Sequence, residues 1–362
     1  MTAARGSVFM RRALELAREG WGQTAPNPMV GAVVVRDGTV VGEGFHARFG
    51  GAHAEVAALA AAGERVRGAE LYVTLEPCAH HGKTPPCVDA ILAAGVSRVA
   101  IAARDPNPEA AGGVERLRAG GVTVDIGDGE REARELNAPF FHRFANAGRP
   151  FVTLKLAVSI DSAIAAADRS TTTHLTGPES RREVHRLRAG HDAIAVGVGT
   201  VLADDPQLTV RHWAPPRVPL TRVVFDTHLR TPVDSYLVRT AAEAPVLLVS
   251  GRPDATRARA LERAGAVVVG AGGLAEGLRA LADRGVRALL VEGGAQVAGS
   301  FLANALVDRL IIFRAPVVLG QGALNAFAHV PPADVARLAR LPVLEQRVFG
   351  DDVMTTYGLG AL

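Results

Sequence analysis

The chain has 362 residues, 48% of them hydrophobic and 21% charged, which is enough apolar material for two ordinary cores and too much for disorder. Forty basic against thirty-seven acidic residues leave a formal charge of +3, and only two of the forty are lysines, Lys83 and Lys155. Two cysteines, Cys78 and Cys87, cannot staple so long a chain, and the purely apolar runs are strand-sized, well short of the ~20 residues of a membrane span.

Met1 to Gly20 reads as an amphipathic helix carrying Arg11, Arg12, Glu15, Arg18 and Glu19, without the apolar run or cleavage site of an export signal. A cytoplasmic protein with reduced thiols is therefore expected. Val30 to Val35, the Asp37-Gly38 turn and Val40 to Phe45 read as a hairpin. The pattern then alternates: helix at Ala54 to Ala62, strand at Glu70 to Leu75, helix at Val88 to Ala94, strand at Arg98 to Ala102, helix at Val114 to Ala119, strand at Val122 to Asp125. Short β-rich runs between helices of this length predict a largely parallel sheet with helices on its faces. One polar helix, Glu130 to Ala145, follows, and Asn146 to Pro150 is the best boundary in the chain.

A second α/β series begins at Phe151. Its strands are predicted at Val152 to Val158, Ala193 to Gly197, Arg222 to Asp226, Val246 to Ser250, Val267 to Val269, Ala288 to Val291 and Leu310 to Arg314. Helices are predicted at Glu179 to Ala189, Arg257 to Ala264, Leu274 to Arg284 and Val297 to Ala305, with a surface loop over Val210 to Leu220. No internal repeat relates the halves. Arginines are scattered among acids, as in Glu130 to Glu135, which argues against a nucleic-acid arm.

The first half carries a metal-ligand pattern. His53-Ala54-Glu55 opens one helix, Glu76-Pro77-Cys78 follows a strand, and Pro86-Cys87 opens the next helix. One imidazole and two thiolates are a soft donor set that suits zinc, and three protein ligands leave a fourth tetrahedral position for water. Glu55, two residues after the histidine, is placed to shuttle that water's proton. Taken singly, buried cysteines and a core histidine are ordinary; here both cysteines of the chain follow proline in the same half as His-Ala-Glu. A structural zinc site, with His80 or His81 as fourth ligand, is the alternative.

This order resembles the zinc-dependent cytidine-deaminase-like superfamily, in which the glutamate is the acid/base and not a ligand. Nucleobase deaminases have two residues between their cysteines, whereas this chain has eight, and Pro77 to Cys87 looks like the insert of riboflavin-pathway deaminases. Pro26-Asn27-Pro28, Val30-Gly31 and Gly44-Phe45-His46 match the same family. The resemblance implies that Asn27, His46, His80 and Lys83 hold the base and ribose phosphate of the substrate. A compact lysine ammonium in a Gly-Lys-Thr turn also suits a phosphate on chemical grounds.

In the second half Lys155 interrupts an apolar strand, and a buried lysine needs a partner or a ligand. His185 to Ala189, Asp192 to Thr200 and Ala203 to Arg211 put glycines after a strand with arginines on either side. Val291-Glu292-Gly293-Gly294-Ala295 reads as a strand, a double glycine and a helix start, whose N-terminus suits an anion; a plain turn is the alternative. It is not the Gly-x-Gly-x-x-Gly of a classical dinucleotide fold.

Together these segments resemble the riboflavin-specific reductase, a dihydrofolate-reductase-like fold that uses NADPH. The resemblance implies that Thr172, Arg188, Leu208, Arg211 and Glu292 contact a ribose-phosphate substrate, with Arg188 and Arg211 as bidentate phosphate ligands. It implies that Lys155, Ala157, Asp161, His174, Thr200, Asp204 and the turn Gly294, Ala295, Gln296, Val297, Ala298, Gly299 and Ser300 meet NADPH. The family's glycine and basic residue after the first Ser-Ile-Asp are replaced by Ser162 and Ala163, and His174 stands where a tryptophan is common.

The expectation is an α/β chain with an N-terminal cytidine-deaminase-like α/β/α domain over 1–146 and a dihydrofolate-reductase-like α/β domain over 151–362. Its implied activity is bifunctional: zinc-dependent deamination of a diaminopyrimidinone ribose phosphate, then NADPH-dependent reduction of the ribosyl group. Small-molecule substrates, no nucleic acid, no membrane and homo-oligomerisation are expected. The rival readings are a deaminase with a degenerate reductase domain, and an RNA-binding or tRNA-editing protein suggested by a pI near 9.2. The eight-residue spacing and the dispersed arginines count against the latter.

Overall fold

The computed structural model describes residues 2–81, 85–146, 148–168, 174–331 and 340–360, with side chains from residue 8 onward. The chain forms two compact units that divide between Ala145 and Asn146.

The first unit runs α1 (Thr2–Arg18), β1 (Gly31–Arg36), β2 (Thr39–Phe45), α2 (Ala54–Ala62), β3 (Glu70–Leu75), α3 (Cys87–Ala94), β4 (Arg98–Ala103), α4 (Gly113–Ala119), β5 (Thr123–Ile126), α5 (Glu130–Leu136) and α6 (Ala138–Ala145). Its strands form one sheet in the order β2-β1-β3-β4-β5. The hairpin β1–β2 and the β1–β3 pair are antiparallel, while β3, β4 and β5 run parallel. The period-2 alternation of a strand sends neighbouring side chains to opposite faces. Ala32 and Val34 of β1 therefore pack with α2, α3 and α4 through Ala58, Ile91 and Leu117. Val33 and Val35 pack with Met10, Leu14, Ala133 and Phe141 of α1, α5 and α6 on the other side. A sheet buried on both faces needs strands that are apolar throughout, which is what β1, β3 and β4 show.

Close approach fixes where α2 begins. A Cβ on Gly44 would lie 2.4 Å from the Ala58 nitrogen and 2.6 Å from the Ala54 carbonyl oxygen, so only glycine lets β2 lie this close to the first turn of the helix.

The second unit continues with β6 (Phe151–Val158), β7 (Ala163–Ala165), α7 (Pro178–Ala189), β8 (Ala193–Gly197), α8 (Val198–Asp204), β9 (Thr221–Phe225), α9 (Tyr236–Arg239), β10 (Val246–Ser250) and α10 (Ala255–Arg263). It ends with β11 (Val267–Gly270), α11 (Leu274–Asp283), β12 (Ala288–Glu292), α12 (Ala295–Ala303), β13 (Arg309–Arg314), β14 (Leu324–Asn325), β15 (Val343–Phe349) and β16 (Asp352–Gly358). Nine of these strands form a sheet in the order β11-β10-β9-β8-β12-β6-β13-β16-β15. The first seven in that order run parallel, and β16 and β15 close the edge antiparallel. On β8, Ala193 and Ala195 face the core under α11 and α12, whereas Ile194 and Val196 face that under α8, α9 and α10.

Three local features differ from the pattern reading. The polar helix predicted over Glu130 to Ala145 breaks at Asn137, whose side chain leaves the helix register to pair both backbone groups of Met29 at 2.8 Å each. The glycine block after β8, for which the pattern gave no element, folds as the short helix α8. The antiparallel pair β15–β16 was not anticipated, because exposed β15 alternates weakly and owes its strand to pairing with β16.

Candidate functional site

The first site forms where three loops meet. His53 precedes α2 in an extended conformation (φ −73°, ψ 158°) and its side chain makes no cap bond, so the imidazole is free to turn towards the thiols. Cys87 is the first residue of α3, held by the Pro86 N-cap, and Cys78 lies in the segment that leaves β3. His53 Nδ1 is 3.1 Å from Cys87 Sγ and 3.6 Å from Cys78 Sγ, and the Cys87 backbone N–H donates to Cys78 Sγ at 3.3 Å. All three ligand atoms lie within 4.8 Å of one another, a grouping found nowhere else among the described residues. The Cys87 thiol, with help from His53, holds Cys78 well below the usual thiol range, at about 4. The same contact with Cys78, together with burial, raises Cys87. One imidazole and two thiol sulfurs at this spacing fit a tetrahedral zinc ion with one position left open.

Beside them lies a cavity of about 270 Å³. Glu55 is in its wall and only 4% exposed, and burial pushes its carboxyl up to about 7. His46 faces it too. Its Nδ1 lies 3.0 Å from the Ala52 carbonyl oxygen, which can only accept, so Nδ1 carries the proton and Nε2 accepts from Asn27 Nδ2 at 3.3 Å. Burial lowers the His46 pKa, in keeping with a neutral ring. Asn27, His46 and His80 thus share one cavity with Glu55 and the ligands His53 and Cys78. Lys83 lies outside the described residues.

Pattern reading quoted Glu76 without giving it a role and missed Asp105 and Asn107; all three line the same cavity. Buried Glu76 accepts the backbone N–H groups of Asp105 (3.2 Å), Gly112 (3.2 Å) and Val114 (3.1 Å), tying the loop after β4 to the loop that carries Cys78. Asp105 in turn accepts the Asn107 N–H at 2.8 Å, and burial raises its carboxyl to about 6. The turn-forming run Asp105-Pro106-Asn107-Pro108 was the available signal.

The second site is a cleft of about 1200 Å³ in the second unit, crossing the carboxyl ends of β6, β12, β8, β9 and β10 and the turn after β11. Lys155 and Glu292 face each other in register on β6 and β12, with Nζ 3.5 Å from Oε2. Arg188 of α7 grips the same carboxylate through Nε (2.6 Å) and Nη2 (3.0 Å) and gives its remaining arm to the Thr209 carbonyl oxygen at 2.9 Å. Burial alone would raise the Glu292 carboxyl, but Arg188 and Lys155 bring it down to about 2. A Cβ added to Gly199 or Gly273, both in the cleft wall, would meet nothing within 4 Å and would take up cleft space instead. That glycine-lined trough is a cradle of the kind an extended dinucleotide needs.

Of the residues expected to meet a coenzyme, Lys155, Ala157, Thr200 and Asp204 line the cleft, as do Gly294, Ala295, Gln296, Val297 and Ser300. The others sit elsewhere. Ala298 is packed in the core, and Gly299 lies against the Ala328 carbonyl, because the helical period of α12 turns them away from the cleft. Asp161 accepts the backbone N–H groups of Gly320 (2.8 Å) and Leu319 (3.2 Å) and so anchors a loop. His174 is exposed and not in the cleft wall. Among the expected substrate residues, Arg188 is committed to Glu292 instead of standing open for a phosphate. The Leu208 side chain is buried at φ 52°, which leaves only its backbone for contact. Arg211 is exposed and donates to Gln207 and Thr209 at 2.9 Å each. Thr172 lies outside the described residues. Asp226, Thr227, His228 and Arg230 also line the cleft, and nothing in their local pattern marked them.

Comparison with known proteins gives a consistent answer for both units. Residues 4–103 match the family model of the cytidine and deoxycytidylate deaminase zinc-binding region, and residues 150–354 match the model of the RibD C-terminal domain. The chain is 43% identical to the riboflavin biosynthesis protein RibD of Aquifex aeolicus over 87% of this chain and 88% of that protein. It is 41% identical to the protein of that name from Escherichia coli K12, over 95% of this chain and 97% of the other. Among solved structures, RibD of Acinetobacter baumannii (form 1) superposes with a TM-score of 0.83 at 35% identity, covering 98% of this chain and 99% of that one. A deaminase/reductase from Thermotoga maritima superposes with a TM-score of 0.84 at 34% identity, covering 99% of each chain. Among the described residues no helix is long and apolar enough to cross a membrane.

Proposed function

The chain belongs to the RibD family of bifunctional riboflavin-biosynthesis proteins, with a zinc-binding deaminase domain followed by an NADPH-dependent reductase domain, and from that membership we propose how its residues divide the two reactions. His53 Nδ1, Cys78 Sγ and Cys87 Sγ hold the zinc ion. Bound there, zinc lowers the pKa of a water towards ~7 and so supplies a nucleophile at neutral pH. Glu55 takes the proton of the attacking water and passes it to the departing amino group, releasing ammonia from a diaminopyrimidinone ribose phosphate. A carboxyl raised to about 7 by burial is suited to both halves of that transfer. Asn27 and His46, with their fixed hydrogen-bond polarity, orient the pyrimidine ring, and with His80 and Lys83 they make up the set that the family resemblance assigns to the base and ribose phosphate.

In the second unit NADPH supplies a hydride to the ribosyl carbon. Glu292, held ionised by Arg188 and Lys155, orients the sugar hydroxyls, and Lys155 lines the same cleft. Ala157, Thr200, Asp204 and the start of α12 seat the coenzyme. Departures at Ser162 and Ala163 leave this wall in place, since neither residue lines the cleft. We infer also a cytoplasmic, self-associating enzyme that binds no nucleic acid, in keeping with its dispersed arginines.

The observation that carries this reading is the grouping of three metal-ligand atoms within 4.8 Å beside the buried Glu55. Incubation of the pure protein with the diaminopyrimidinone ribose phosphate, with and without NADPH, tests it. Ammonia is released in both cases, and NADPH is consumed only when both are present; absence of ammonia release from zinc-loaded protein refutes the deaminase assignment.

A further inference from the structure

The stretch of chain that carries Arg211 is clamped to α7 by a histidine that neither reaction uses. His185 and Arg188 are three residues apart on α7 and so share one face of the helix. Both reach the same stretch. Arg188 Nη1 donates to the Thr209 carbonyl at 2.9 Å, and two residues further on the Arg211 backbone N–H donates to His185 Nδ1 at 3.2 Å. The His212 ring then stands edge-on to the His185 ring, with centroids 4.8 Å apart and planes at 85°. Leu208, buried at φ 52°, anchors the start of the stretch.

An Nδ1 that accepts carries no proton, so the single N–H of the neutral ring is on Nε2. His185 is 5% exposed, and burial together with Arg188 and Arg211 lowers its pKa to about 4, which keeps the ring in the form that accepts.

The residue held by this clamp is a cation without an acid of its own. Arg211 is exposed, and among the described residues its guanidinium donates to the neutral oxygens of Gln207 and Thr209 at 2.9 Å each. Lys155, Arg188 and Arg211 all act on one carboxylate, Glu292, which leaves positive charge for a phosphate monoester to neutralise. Arg188 also repels Arg211 and, with burial, lowers its pKa. Fixing the backbone at Arg211 opposes that repulsion before any substrate arrives, so less ordering remains to be done on binding.

From the N–H to Nδ1 contact and the edge-on ring beside it, we propose that His185 is a positioning residue of the reductase, which holds the Arg211 backbone so that the guanidinium stands ready for the ribose phosphate. The proposal rests on the reductase reading and on Arg211 as a ligand of that phosphate.

Steady-state NADPH oxidation by the full-length protein, with the deaminated ribose phosphate varied, tests it. His185→Phe keeps a ring against His212 but has no acceptor, and it is expected to raise the KM for that compound ~5-fold or more, with kcat and the KM for NADPH within ~2-fold of wild type. His185→Leu takes its place if that variant does not fold. His185→Asn, whose amide oxygen can stand where Nδ1 was, should bring KM back to within ~2-fold of wild type. Arg211→Gln alone should raise KM, and adding His185→Phe to it should raise KM no further, because the histidine acts through the arginine. A wild-type KM in His185→Phe, an equal rise in the Phe and Asn variants, or additive effects in the double variant would overturn the proposal. A wild-type KM in Arg211→Gln would remove the Arg211 assignment and this proposal while leaving the reductase reading intact, and a wild-type protein that oxidised no NADPH would remove all three.

Discussion

Lys155 and Glu292 stand directly opposite each other on adjacent parallel strands, Nζ 3.5 Å from Oε2, and Arg188 closes on the same carboxylate from α7. One largely buried acid thus holds two cations at the wall of the second unit's cleft. Replacing Glu292 with Gln leaves both cations without a counter-charge, which costs about 3–5 kcal/mol when a buried pair is broken. The expected outcome is a lower unfolding temperature for the second unit and a loss of NADPH oxidation, with ammonia release kept. Unchanged NADPH oxidation would remove Glu292 from the site.

Cys78→Ser takes away the thiolate that His53 and Cys87 converge on. Metal analysis of the wild-type chain should find about one zinc, and the variant should lose it together with ammonia release. NADPH oxidation with the deaminated substrate should persist. A fully active variant without zinc would contradict the ligand assignment.

Much of the first site was legible because zinc demands residue types, not shapes: a chain with two cysteines, each after a proline, offers few other places for soft ligands. What sequence could not display is what the sheet brings together from a distance. Asp105 and Asn107 join the cavity because β4 lies beside β3, and the loop of His228 and Arg230 joins the cleft because β9 lies beside β8. Arg188 reads as a free phosphate ligand until α7 is seen to place it against Glu292. Ala298 and Gly299 fall in a run whose cleft-facing members are selected by the helical period of α12. The break at Asn137 depends on Met29, 108 positions earlier.

Glu76 touches the substrate cavity but acts mainly on backbone, receiving the N–H groups of Asp105 and Gly112 in the loop that carries Asn107 and of Val114 in the first turn of α4. Glu76→Ala should leave those donors unpaired and loosen the loop, at ~1–3 kcal/mol. The deaminase KM is expected to rise more than kcat falls, with zinc content unchanged. A variant with wild-type KM would show that the loop is held by other means.

Asn137→Ala removes both hydrogen bonds that join the break between α5 and α6 to Met29, two residues from Asn27. Loss of about 1–3 kcal/mol of stability is expected from the buried groups left behind, read as a lower unfolding midpoint of the first unit. A midpoint within error of wild type would contradict this role.

His191 sits between the Leu187 carbonyl (2.7 Å) and the Thr153 hydroxyl (3.1 Å), and burial lowers its pKa to about 4. In the unfolded chain a histidine binds its proton near pH ~6.5. Between those values the unfolded state holds more protons, so stability is full above pH ~6.5 and falls as pH drops towards ~4, by at most ~3 kcal/mol from this residue. His185, also lowered to about 4 by burial, adds in the same direction. Thermal unfolding from pH 7 to 4 should show the decline, and His191→Gln should flatten part of it. A slope identical to wild type would assign the acid sensitivity elsewhere.

The central claim is that one chain carries two separable catalytic sites, and crossed single-site variants test it most directly. With the diaminopyrimidinone ribose phosphate, Glu55→Gln should release no ammonia yet oxidise NADPH when given the deaminated compound. Glu292→Gln should release ammonia yet oxidise no NADPH with either. If Glu55→Gln released ammonia at the wild-type rate, or if each variant lost both activities while remaining folded, the division of chemistry between the two sites would be wrong.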